Sequence, residues 1–164
     1  MKKVLCTLIA LTLVLGMTAA FAVNSATPGL TPVPGTGIDT TTTTIGTDKI
    51  TEIVETGIDI FPDEIKEQLA AVLGEGFTMV EVIEITASED YEEGTDVEAQ
   101  FNVAADAYSG KNVAGVIGTI VEDAVEWVVV DADAEDAVLT VDVPADVMTS
   151  IVDADAALLV TFVG

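Results

Sequence analysis

VEAQFNVAA, residues 97–105, decides how this chain is read: Val97, Ala99, Phe101, Val103 and Ala105 alternate with Glu98, Gln100, Asn102 and Ala104. A period of two with one apolar phase is the signature of a half-buried strand. The same reading extends from Phe77 to the end of the chain. It predicts six strands, at about 77–87, 96–105, 113–121, 125–131, 138–143 and 157–163. Connectors rich in turn formers separate them, namely EDYEEGT, DAYSGKN and DADAED. Short, regularly spaced strands with one apolar face predict an antiparallel sandwich or small barrel.

Two segments break the period. PDEIKEQLAAVLG (62–74) opens on Pro62, Asp63 and Glu64, which suit the positive end of a helix, and closes on Gly74. Ile65, Leu69, Val72 and Leu73 fall on one face, which is expected to pack on the sheet. PADVMTSIVDADA (144–156) spaces Val147 from Ile151 and Met148 from Val152 by four, so a helical turn is expected before the last strand.

The strand bearing GVIG (115–118), the acidic turn before the lone Trp127, and LTVDVPADVM (139–148) running into a helical turn together resemble small immunoglobulin-like modules of exported bacterial proteins. The resemblance covers residues 97–162 at most. It implies an antiparallel immunoglobulin-like sandwich, so that with the helix read at 62–74 the fold expected is mostly β, a sandwich of about six strands with a short N-terminal helix and a helical turn before the last strand. Such modules have no agreed activity, so no functional residue carries over. The cysteine pair of antibody domains is missing, which limits the likeness to architecture.

The N-terminus fixes the destination. Lys2 and Lys3 precede an apolar stretch, Val4–Leu15, and the small-residue end Ala20-Phe21-Ala22. This is a secretory signal peptide (1–22), too short for a bilayer span of about 20 residues. The expectation is a secreted, extracellular protein of bacterial type, free or associated with the cell surface, with no integral membrane segment after cleavage. Cys6 leaves with the signal, so no disulfide is available. Residues 23–47, rich in Thr, Pro and Gly with Asp39 as the one charge, read as a linker. Residues 48–76 then form a short helical segment packing on the sheet, and 77–164 the β-sandwich domain.

Cleavage after Ala22 leaves three lysines against 29 acids, a formal charge of −26, with no Arg or His anywhere. Beyond Lys111 there is no base, against eleven acids from Glu122 to Asp155. Nucleic acid and anionic membrane surfaces are excluded as partners, because both require cationic side chains. Half of the residues are hydrophobic, so this is a folded chain and not a disordered polyanion. Dense surface carboxylates by themselves mean only solubility through self-repulsion.

Missing His removes the usual general base, and with Cys6 lost no Cys nucleophile and no Cys/His zinc site can form. Ser109-Gly110-Lys111 lacks the S-x-x-K spacing, and GVIGTI lacks a phosphate-loop lysine. A carboxylate-only hydrolase would need a cleft that the sequence does not mark.

Asp131, Asp133, Glu135 and Asp136 are the densest chemical feature. The first three have the one-three-five spacing of a calcium loop, but Asp136 stands where the sharp turn needs Gly. The plainer reading is a solvated hairpin turn. The chemical one is a weak Ca²⁺ site, to which oxygen-only ligands are suited; no other cofactor is expected. Trp127 is in phase with Val125 and Val129 and is expected on the core side, leaving Tyr91 and Tyr108, in connectors, as candidate ligand contacts. The function expected is a non-catalytic module for contact with an extracellular protein or glycan, or a surface or matrix component. A Ca²⁺- or carbohydrate-binding module is the alternative, and a small hydrolase the third.

Overall fold

The computed structural model describes residues 29–164, so the expected signal peptide (1–22), Cys6 and residues 23–28 lie outside the described residues. The fold is mostly β. Its strands are β1 (Thr31–Pro32), β2 (Ile38–Thr40), β3 (Thr78–Ala87), β4 (Val97–Asn102), β5 (Val113–Val121), β6 (Ala124–Glu135), β7 (Val138–Val143) and β8 (Ala156–Val163). They form one antiparallel sheet in the order β1-β4-β7-β6-β5-β8-β3-β2. Helices are α1 (Thr44–Thr56), α2 (Asp63–Leu73), the single turn α3 (Ala105–Tyr108) and α4 (Ala145–Asp153), with a 3₁₀ turn at Gly57–Ile60.

The six expected strands and both expected helical segments are present, but the sheet has eight strands and is continuous where two facing sheets of about six strands were expected. One strand accounts for much of the difference. β6 pairs with β5 over Ala124–Asp131 and with β7 over Ala132–Glu135, carrying the sheet round a corner. At the other limit the short segment 33–37 ties both edges. Val33 N donates to Gln100 O (2.8 Å) beside β4, and Ser88 N donates to Gly37 O (3.0 Å) beside β3. The sheet is thereby nearly closed into a barrel.

The expected linker is corrected by this closure. Residues 29–47 supply β1, β2 and the first turn of α1, and Leu30 and Ile38 are each 2% exposed in the core. Composition misled here because Thr, Pro and Gly also suit a short edge strand that leaves few ladder bonds to make.

Two apolar cores lie on the two faces of the same strands. The inner one collects Phe101, Ile117, Leu139, Val141 and Leu159, with Val147, Met148 and Ile151 of α4. The outer one collects Val116, Ile120, Leu158, Val160 and Phe162 under Ile53 of α1, Phe61, and Ile65, Leu69 and Leu73 of α2. Val72, expected on that helix face, is half exposed. Every residue of β8 and all but the last of β5 are therefore buried.

Helix α1 has a poor intrinsic sequence, TIGTDKITEIVET, and a strong tertiary cap. Thr43 accepts at its hydroxyl from Gly46 N (3.0 Å), while the buried Glu84 carboxylate of β3 accepts from Thr43 N and Thr43 Oγ1, both at 2.7 Å. A negative group at a helix N-terminus meets the positive end of its dipole. Gly46 is required because a Cβ there would collide with the Glu84 carboxyl group.

Trp127 is half-buried on the outer face, with Val125 and Val129 in the same phase. Its ring meets Phe61 edge-on (centroids 4.8 Å apart) and lies over Gly118, its cross-strand partner on β5. A Cβ at Gly118 would run into the indole. Gly118→Ala is expected to destabilise the protein by about 1–3 kcal/mol through overpacking. A urea titration followed by Trp127 fluorescence checks this, and an unchanged midpoint would contradict the packing described.

Candidate functional site

The β6–β7 ladder runs from Glu135 opposite Val138 to Ala132 opposite Val141, then stops. Its next step would place Asp131 opposite Asp142. Asp142 already stands opposite Glu98 of β4, so pairing would line up three carboxylates across the sheet, and directly opposed like charges are destabilising. Three steps on, Val129 would meet Pro144, which has no N–H to give. β7 stays with β4, β6 stays with β5, and a notch opens between them.

That notch has a volume of about 550 Å³ and is lined by Asp96, Val97, Glu98, Val129, Val130, Asp131, Asp142, Val143 and Pro144. A second hollow of about 320 Å³ shares Asp96, Val97 and Glu98 and continues over Gly35–Gly37, Asp90, Tyr91, Glu92 and Thr95. Together they carry six carboxylates and no lysine. The three lysines of the described chain are engaged elsewhere. Lys49 pairs with Glu52 (2.6 Å), Lys66 with Asp63 (2.7 Å), and Lys111 Nζ donates to Ala107 O (3.0 Å). Asp96 also holds the start of α4, its Oδ1 accepting from Ala145 N (2.9 Å).

Of the acidic run, Asp131, Asp133 and Glu135 lie on β6 itself and all point out of the barrel from one face, roughly 7 Å apart along the strand. Their one-three-five spacing is thus that of a strand face, not of a loop. The turn consists of Asp136 and Ala137 alone, with φ of 51° and 63°, as the tight primed hairpin requires. Among the described residues no group of three or more acidic side chains converges as an ion cage would. Asp131 belongs to the notch; Asp133, Glu135 and Asp136 do not line it.

Tyr91 lines the second hollow, half-buried, with its hydroxyl accepting from Gly94 N (3.2 Å). Tyr108 is corrected as a ligand contact: it is 2% exposed in the inner core, and its hydroxyl shares a hydrogen bond with Thr161 Oγ1 (2.9 Å). Burial pushes its phenol up to about 12, the Thr161 bond opposing and the nearby Glu81 charge reinforcing the shift.

Glu81 is the second acid that sequence reading passed over. A register shift between Met79 and Glu81 leaves it half-buried, where its Oε1 accepts from Gly29 N (3.1 Å) and Leu30 N (3.2 Å). It clamps the incoming chain to β3. Burial raises its pKa, against the two N–H bonds that favour the anion. The signal was available: Glu81 shares the phase of Ile83 and Ile85, and Glu84 that of Val82, so both acids fall among apolar positions. The notch residues Asp96, Glu98 and Asp142 carried no such mark, because only the register around Asp136-Ala137 brings Asp142 to Asp131.

Comparison with known proteins finds no family model that matches the chain, and no curated protein or solved structure with significant similarity to it.

Because folding raises the Glu81 pKa, the native chain holds that proton more tightly than the unfolded chain. The resulting stability is complete below the ordinary value of 4.5 and is lost as pH rises through the raised value. Glu81→Gln cannot ionise and is expected to flatten the decline just above pH 4.5, read from urea midpoints across pH; superimposable profiles would contradict it. Separately, Ala137→Gly relieves a left-handed residue and is expected to add about 1 kcal/mol to stability, seen as a raised melting temperature.

Proposed function

We propose that this protein is an exported, acidic, non-catalytic module for extracellular contacts, and that the notch between β6 and β7 receives a partner bearing cationic groups. The observation that carries this reading is the pair of adjoining hollows with six carboxylates and no base, set in a sheet that is buried on both faces behind them. Low-dielectric walls lined by one sign of charge concentrate counter-charged ligands. Export rests on the leader-like sequence of residues 1–22, and kinship with immunoglobulin-like modules rests on the helical turn α4 between β7 and β8.

A Ca²⁺ module is the second reading. The cross-strand neighbours Glu98 and Asp142, with Asp131 at the rim, favour it over the hairpin residues. Affinity would be of the weak extracellular order, about 10⁻⁴–10⁻³ M. A carbohydrate reading keeps Tyr91 as its one aromatic in the hollows.

Calorimetry with a lysine-rich peptide is expected to show binding that weakens as salt is added. The triple variant Glu98→Gln, Asp131→Asn, Asp142→Asn, with its circular dichroism unchanged, is expected to lose it. Equal binding by the variant would remove the notch as the site. Heat and a thermal shift with Ca²⁺ at weak affinity, without peptide binding, would favour the ion reading instead.

A further inference from the structure

The notch is also an unfinished ladder. Two-residue turns fix the phase of β6 at both ends. Val121 opposite Ala124 flanks the Glu122-Asp123 turn, and Glu135 opposite Val138 flanks the Asp136-Ala137 turn. Pairs flanking such a turn are hydrogen-bonded, and the pattern alternates from there. Even-numbered residues of β6 therefore bond to β5, and odd-numbered ones turn their N–H and C=O the other way. Asp133 and Glu135 meet β7 on that side. Val125, Trp127 and Val129 meet no backbone partner among the described residues, and Asp131, one step beyond the last β6–β7 pair, does not complete a hydrogen-bonded pair with Asp142.

We propose that this open side of β6, Val125 to Asp131, takes an extended basic peptide of a partner chain as an added strand. The proposal rests on the cationic-partner reading above and specifies how that partner is held. Main-chain bonds supply the attachment and side chains the selectivity, as in strand addition generally. The edge spans roughly 23 Å, room for about seven residues. On the outer face the added strand would run beside Val125, Trp127, Val129 and Asp131 of β6, with Asp142 and Glu98 across the notch, so lysine or arginine fits its outward positions toward the Asp131 end. Its inward positions lie beside Val128 and Val130, so apolar residues fit there. A second copy of this chain is disfavoured as occupant, because each copy carries the same strong negative charge.

The test uses the full chain without its signal and a seven-residue peptide alternating lysine and valine. A second peptide of the same sequence is N-methylated at alternate residues along one edge, which keeps its charge but removes its donors there. The unmethylated peptide is expected to bind, to slow amide exchange at Val125, Trp127, Val129 and Asp131, and to shift Trp127 emission. The methylated peptide is expected to bind about tenfold more weakly or worse. Equal binding by both would remove strand addition while leaving the cationic-partner reading standing, and binding by neither would remove both. Slow exchange at those four amides before peptide is added, or a dimer that the peptide does not dissociate, would also overturn the proposal.

Discussion

β5 and β8 lie side by side with almost no solvent-facing position between them, and the rest of the molecule is arranged around that fact. VAGVIGTIV and AALLVTFV put Ile117, Leu159 and Val163 on the inner face and Val116, Leu158, Val160 and Phe162 on the outer one. A sheet that is apolar on both faces must be covered on both. α1, the 3₁₀ turn and α2 cover the outside, while the curling of β6, β7 and β4 with α4 covers the inside. Truncating a side chain such as Phe162 costs about 3–5 kcal/mol, against a total stability of about 5–15 kcal/mol for a domain. No disulfide is available in the described chain to compensate, so packing on these two strands decides whether the protein folds.

Closure and charge are settled by the same few side chains. Glu84 caps α1 from β3, and Glu81 clamps Gly29 and Leu30 where the chain enters. Both are acids recruited to hold backbone N–H groups, which an acidic protein can supply freely. The remaining carboxylates stay wet, and where they would be forced into one row, at Glu98, Asp142 and Asp131, the ladder gives way. The notch is thus a consequence of charge placed on strands that would otherwise continue to pair.

Much of this was legible in the sequence, and for a definable reason. Strands β3 to β8 and the helices over 63–73 and 145–153 announce themselves through local periodicity. What escaped were elements whose structure is imposed by distant partners. β1 and β2 are extended because β4 and β3 offer edges, and α1 forms because Glu84 waits across 41 residues of chain. The doubly apolar pattern of β8 is compatible with a sandwich or a closed sheet, and only the length of β6 separates the two. The site followed the same rule. The one-three-five spacing of Asp131, Asp133 and Glu135 is strand alternation that mimics a calcium loop, whereas Asp142 reaches Asp131 only through register.

Native-state hydrogen exchange by NMR addresses the central claim most directly. If β5 and β8 are the doubly covered axis, amides of Val116, Ile117, Leu158, Leu159 and Val160 will exchange only through global unfolding, with a free energy equal to that from denaturant titration. Exchange of those amides through cheaper local opening, with the slowest protons found instead in β4 or the helices, would contradict it.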